Sequence, residues 1–185
     1  MSNEIIGIDS SVAGTGVAML SSESIPCVFR IDTKPQGFKH PLLRYRYIAN
    51  TVLQRCKSYF GTTTQIKWGM EGYSMASKYG RLTELAEVAG LIKQVMFTHT
   101  GEYPIIIAPN TLKKFVTGKG KGVDKAHMLL AAYKKWGMEF DTHDEGDAFS
   151  VAKLIEALYY KDPKDLFQYE RECVATLRKS HTWVP

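Results

Sequence analysis

The order of apolar segments predicts an α/β domain built on a mixed five-stranded sheet flanked by helices. Two observations carry this. Three short apolar runs come first, separated only by polar turns, as in an antiparallel start to a sheet. From residue 42 onward, helical and strand periodicities alternate, which adds parallel strands through helical crossovers. A third observation sets the scale. At 185 residues, with 44% hydrophobic and 23% charged residues, the chain fills one core and is short for two ordinary domains.

Residues 4–9 contain the run Ile5-Ile6-Gly7-Ile8, which reads as a buried strand ended by Asp9. Ser10 to Thr15, with Gly14 and Gly16, reads as a polar turn, and residues 17–20 return as a second strand. A weaker third strand spans 26–31, followed by a loop over 32–41 that holds the breakers Pro35 and Gly37. Leu42, Tyr45, Ile48, Val52 and Cys56 recur at helical spacing up to Phe60, and Gly61 ends that helix. A strand over 66–71 ends in Glu71, and the loop 72–79 follows. Leu82, Leu85, Ala89, Ile92 and Met96 form one stripe of the next helix, and 104–108 is the fifth strand.

Asn110 is a suitable N-cap for a short helix over 111–117, with Gly118 as terminator. Lys119 to Gly122 reads as a flexible basic loop, and 123–136 as a helix stopped by Gly137. The last core helix begins at Thr142 and turns Ala148, Val151, Ile155 and Leu158 inward. Residues 163–178 read as an appended helix, and 180–185 as a loose tail.

Charge and cysteine content narrow the function classes. The net charge is +5, yet residues 110–135 hold seven lysines against the single acid Asp124, so this segment alone exceeds the whole-chain value. Such a field around glycines suits a polyanionic partner; a solvated lysine-rich surface is the plainer alternative. Cys27, Cys56 and Cys173 are odd in number and widely spaced, unlike a disulfide framework or a zinc site. The opening residues run straight into the first strand, and no apolar stretch approaches a membrane span. The expectation is a soluble intracellular protein without a membrane partner.

Four acids stand out: Asp9, Glu71, Asp144 and Asp147. The last two, three apart, project from one face of a helix's first turn. They have a local explanation as well, because Thr142-x-x-Glu145 is a capping box and acids in a first turn suit the helix dipole. Asp9 and Glu71 have none. A carboxylate ending an apolar strand needs a counter-charge. No basic residue adjoins Asp9, and Lys67 lies roughly 13 Å from Glu71 along an extended strand. Divalent metal, held by oxygen ligands, meets that need.

These segments resemble the RuvC family of Holliday junction resolvases, within the ribonuclease H-like superfamily. The matching pieces are IIGIDSSVAGTGVAML, IKWGMEGY, APNTLKKFVTGKGKGVDKAHM and HDEGDAFSVAKL, in the family's order, over residues 4 to 160. The resemblance implies a nuclease domain over 1–160, with 161–185 as a C-terminal helical extension and tail. It implies that Asp9, Glu71, Asp144 and Asp147 hold two Mg2+ ions per active site, for which Mn2+ can substitute. It further implies cleavage of four-way DNA junctions by paired symmetric nicks, leaving 5′-phosphate and 3′-hydroxyl ends, and a homodimer formed through the 82–96 helix.

Lys113 and Lys125 match the family's basic positions, and the spacing here, one residue longer, leaves Lys114 and Lys121 as substitutes; Lys119 lies between. Tyr73 or Met75 would be the side chain that wedges into the junction centre, or else would pack beneath the loop. Ser74 stands at the family's aromatic place. His143 is either a surface residue beside the cap or a further ligand or proton carrier. Two alternatives stay open: a broader branched-DNA or flap debranching nuclease, and a noncatalytic junction-binding module. The Ser10–Gly16 turn also resembles the phosphate loop of sugar kinases and actin, but the second loop such proteins need is not found.

Overall fold

β1 (Glu4–Asp9) is the centre of the sheet because its sequence is apolar on both faces. Ile5 joins the core on one side of the sheet, and Ile6 and Ile8 the core on the other. A computed structural model describes residues 3–61, 65–73 and 79–181, with the backbone alone for 79–81. β2 (Gly14–Ser21) and β3 (Ser24–Asp32) continue the sheet antiparallel on one side of β1. Gly14 and Gly16 thus belong to a strand and not to the turn the sequence suggests. α1 (Pro41–Phe60) follows, with His40 Nδ1 accepting from the Leu42 N–H at its start.

β4 (Ile66–Glu71) returns parallel to β1, α2 (Tyr79–Thr100) crosses over, and β5 (Ile105–Ile107) adds in parallel to β4. Among the described residues the sheet has five strands in the order β3-β2-β1-β4-β5. α1 and α2 cover one face, closing a core around Trp68, Ile48 and Ile92.

The other face carries α3 (Pro109–Thr117), α4 (Lys125–Trp136), α5 (His143–Tyr160) and α6 (Gln168–Ser180). α3 starts earlier than Asn110 suggests. Pro109 occupies its first position, where a missing N–H and a preset φ cost nothing, and Ala108 is the cap residue. α4 starts later than expected, because the Asp124 carboxylate caps it by accepting from the His127 N–H at 2.8 Å. Gly118 and Gly137 end these two helices in the left-handed conformation.

α5 is buried on nearly all sides, between the sheet and the outer helices. It lies unusually close to the strands. A Cβ on Gly7 would overlap the backbone of Ala148 and Ala152, and one on Gly16 would overlap the Asp144 carbonyl. The bare glycines therefore set the height of α5 above the sheet.

α6 is integral to this layer. Cys173, Val174 and Leu177 join the core, and a buried ion pair, Lys135 Nζ to Glu170 Oε1 at 2.5 Å, ties α4 to α6. Lys135 also donates to the Phe115 carbonyl at 2.6 Å, so it is an internal strut and not part of the basic surface. The expected loose tail is anchored at its start. His181 is buried, and its Nε2 accepts from the Ile106 N–H at 3.1 Å. Residues 182–185 lie outside the described residues.

Candidate active site

Strand alternation aims the two strand-end acids. Ile5, Gly7 and Asp9 share one face of β1, the face covered by α5. β4 runs parallel with Met70 opposite Ile8, so Asp9 and Glu71, the next residues, end side by side. Thr142 starts α5 with a complete capping box, its hydroxyl accepting from Glu145 N–H while the Glu145 carboxylate accepts from Thr142 N–H. That cap fixes where the first turn lies, and with it Asp144 and Asp147. Glu145 is occupied there and does not face the acids.

The outcome is a cluster. One carboxylate oxygen each from Asp9, Glu71 and Asp147 lie within 4.8 Å of one another, all half-buried. Burial raises the Asp9 carboxyl well above its usual range, and the charges of Glu71, Asp147 and Asp144 raise it further. Burial, then Asp147, pushes Glu71 up to about 7, against the pull of Lys113 and Lys125. Burial likewise pushes Asp147 up to about 6, opposed first by Lys125. Three carboxylates held this close disfavour their own ionisation and favour any bound cation. An all-oxygen donor set of this kind fits a hard divalent ion.

A stability prediction follows. The folded protein holds protons on Glu71 and Asp147 up to higher pH than the unfolded chain does. The contribution of these two groups to stability is therefore fullest below about pH 4 and is lost as pH rises to about 7. In EDTA the melting temperature is expected to be about 5 °C or more lower at pH 7.5 than it would be without this cluster. Added Mg2+ should recover that loss at pH 7.5 and do little at pH 5. Calorimetry of the wild type and of Asp147→Asn across this range checks it, the variant showing the shallower decline.

Asp144 lines the same cleft but stands outside the cluster. Its Oδ2 lies 2.7 Å from Arg30 Nε, on β3. No local pattern marks Arg30 in the sequence, since it reaches the site across a neighbouring strand. Near it, His143 has a buried Nδ1 with no hydrogen-bond partner among the described residues.

The cleft has a volume of about 1020 Å³ and is bounded by the β1–β2 turn, the segment after Glu71 and the helices α3 and α4. Lys113 and Lys125 both line it, which puts cations beside acids that have none nearby in sequence. The other predicted lysines part company. Lys119 and Lys121 are exposed on the loop between α3 and α4. Lys114 pairs with Glu172 of α6 at 2.6 Å, at the surface. Tyr73 lines the cleft, half-buried against the α1–α2 core, with the Lys93 ammonium 5.7 Å from its ring. Met75 and Ser74 lie outside the described residues.

Comparison with solved structures gives this fold a precedent. RuvC from Thermus thermophilus superposes with a TM-score of 0.65 at 18% identity, covering 86% of this chain and 95% of that one. The fold is that of RuvC. The same RuvC in complex with Holliday junction substrate matches at 0.66 and 15% identity, covering 85% and 94%. The yeast mitochondrial Holliday junction resolvase matches at 0.50 and 10%, covering 98% of this chain and 83% of that one. No family model and no curated sequence matches. The likeness to RuvC is thus one of fold, and the chain is nearly coextensive with it. Among the described residues no helix is long and apolar enough to cross a membrane.

Proposed function

We propose that this protein is a metal-dependent, structure-selective endodeoxyribonuclease that resolves four-way DNA junctions by paired nicks, leaving 5′-phosphate and 3′-hydroxyl ends. The observation that carries the reading is the convergence of Asp9, Glu71 and Asp147 within 4.8 Å, in a cleft that Lys113 and Lys125 also line. Acids for cations and lysines for phosphates, in one cleft, match the needs of phosphodiester hydrolysis.

Asp9, Glu71 and Asp147 would hold Mg2+ or Mn2+, joined by Asp144. Such ions, when bound, supply activation of water and stabilisation of the leaving oxygen. The protein's own side chains do the rest. Asp9, whose carboxyl feels the charge of the other three acids, would be among the residues that hold the ions. Lys113 and Lys125 offset the charge of the acids and draw the phosphodiester backbone into the cleft. Lys119 and Lys121, exposed on a glycine-punctuated loop, extend that contact along a duplex arm. Tyr73 borders the cleft, where its ring is available to an unpaired base. A four-way junction has two-fold symmetry, so two active sites in a homodimer, formed through α2, match it. Residues 1–160 form the nuclease unit in this reading and 161–185 its extension.

The deciding experiment incubates the protein with an immobile synthetic four-way junction and Mg2+, with product ends mapped on a sequencing gel. Symmetric nicks in opposed strands are the expected result. Equal cutting of flaps and three-way branches would favour a general debranching nuclease, and binding without cutting a junction-binding module. Ca2+ should support binding but little cleavage, since its looser, larger coordination does not enforce the reacting geometry.

The lysines give a separate test. Lys113→Ala with Lys125→Ala should weaken junction binding and flatten its salt dependence, each lost phosphate contact reducing the log–log slope by roughly 0.9. Lys114→Ala should change the slope little, because Glu172 already holds that ammonium. Binding titrations at several salt concentrations distinguish the two.

A further inference from the structure

Asp144 stands beside the carboxylate cluster without joining it, and its carboxylate faces Arg30 instead. β3 pairs with β2 so that Arg30 lies opposite Gly16. A Cβ on Gly14 would overlap the Arg30 guanidinium, so the glycine is what lets this side chain cross β2 toward α5. There Nε lies 2.7 Å from Asp144 Oδ2, while Nη1 lies 2.8 Å from Asp32 Oδ1. The Nε–H makes no aligned hydrogen bond, so its hold on Asp144 is mainly one of charge. Arg30 and Asp144 are 30% and 22% exposed, which leaves their attraction only partly screened. Asp32 is 68% exposed and holds its share of the guanidinium weakly.

We propose that Arg30 competes with a divalent cation for Asp144, and so sets the cation concentration at which the fourth carboxylate joins the other three. This rests on reading the cluster as a metal site. A guanidinium keeps its charge at every working pH. A cation reaching Asp144 must either displace it or bind beside a fixed positive charge. Both raise the concentration required. A residue that only oriented Asp144 as a ligand would have the opposite sign, since its loss would weaken metal uptake.

The test is Mn2+ binding to the DNA-free protein, followed by the electron paramagnetic resonance of free Mn2+ and by calorimetry. Arg30→Gln should lower the Mn2+ midpoint about ten-fold, the scale expected for removing one charge close to a divalent ion. Arg30→Lys, which keeps the charge, should remain within about three-fold of wild type. Adding Asp144→Asn to Arg30→Gln should abolish the gain. Asp32→Asn changes an exposed side chain and leaves the fold unthreatened. It frees the guanidinium for Asp144 and should raise the midpoint about two-fold.

Unchanged or weaker Mn2+ binding in Arg30→Gln, with an unaltered circular dichroism spectrum, overturns the proposal. So does a gain that survives loss of Asp144. If Arg30→Gln does not fold, an unchanged or lowered midpoint in Asp32→Asn overturns it. A wild type that takes up Mn2+, losing it in Asp9→Asn but not responding to Arg30, removes this inference alone. A wild type that takes up no Mn2+ removes the metal reading and this inference together.

Discussion

Asp9→Asn is expected to reduce junction cleavage by about 10³-fold or more while leaving junction binding intact or tighter. Asp9 ends the central strand, and burial together with the charges of the other acids raises its carboxyl well above the usual range. The amide keeps the shape but removes the charge a shared cation needs. It also removes negative charge facing the phosphate backbone, which is why binding should not fall. A second consequence has the opposite sign. In EDTA at pH 7.5 the variant should be more stable than wild type by about 1–3 kcal/mol, because one of three crowded carboxylates is gone. Single-turnover cleavage, gel-shift binding in Ca2+ and thermal unfolding in EDTA measure the three effects. Loss of binding together with cleavage, in a folded protein, would make Asp9 a DNA-contact residue instead.

Gly7→Ala should destabilise the protein by about 3 kcal/mol or more, lowering the melting temperature by about 10 °C. The added methyl would overlap the Ala148 carbonyl and the Ala152 backbone, and main chain cannot rotate away as a side chain can. Relief requires lifting α5 off the sheet, which loosens the core built around Val151, Leu154 and Ile155. It would also carry Asp147 away from Asp9 and Glu71, so any folded fraction should bind Mn2+ more weakly. Gly37→Ala is the matched control, since nothing lies near the position its Cβ would take. Differential scanning calorimetry of the two variants settles the comparison. An unchanged melting temperature for Gly7→Ala would mean that α5 does not rest on β1 as described.

Elements whose signal is local were legible before folding. The alternation and apolarity of residues 4–9 and 66–71 mark strands wherever they pack, and Thr142 with Glu145 marks a helix start by chemistry within one turn. The same local logic placed Asp9 and Glu71 at strand ends and Asp147 near the start of α5. Two helix starts shifted where two local signals competed. Pro109 prevailed over Asn110, and the Asp124 cap over the apolar start at Val123.

Distant pairings were decided by the tertiary structure alone. A count of lysines over 110–135 treats all seven as free surface charge, yet Lys135 is half-buried against Glu170 and Lys114 pairs at the surface with Glu172. Both partners come from α6, more than thirty residues onward, and nothing in the lysines' own neighbourhood announces them. His181 reads as tail and is buried beneath β5 because α6 carries it there. Asp144 and Asp147 look equivalent on one helix face. Only the first of them meets a side chain on β3, Arg30, which crosses a glycine on β2 to reach it. Sequence period determines which residues face inward; which charge meets which depends on how closely the helices and strands approach, and here glycines without side chains set that distance.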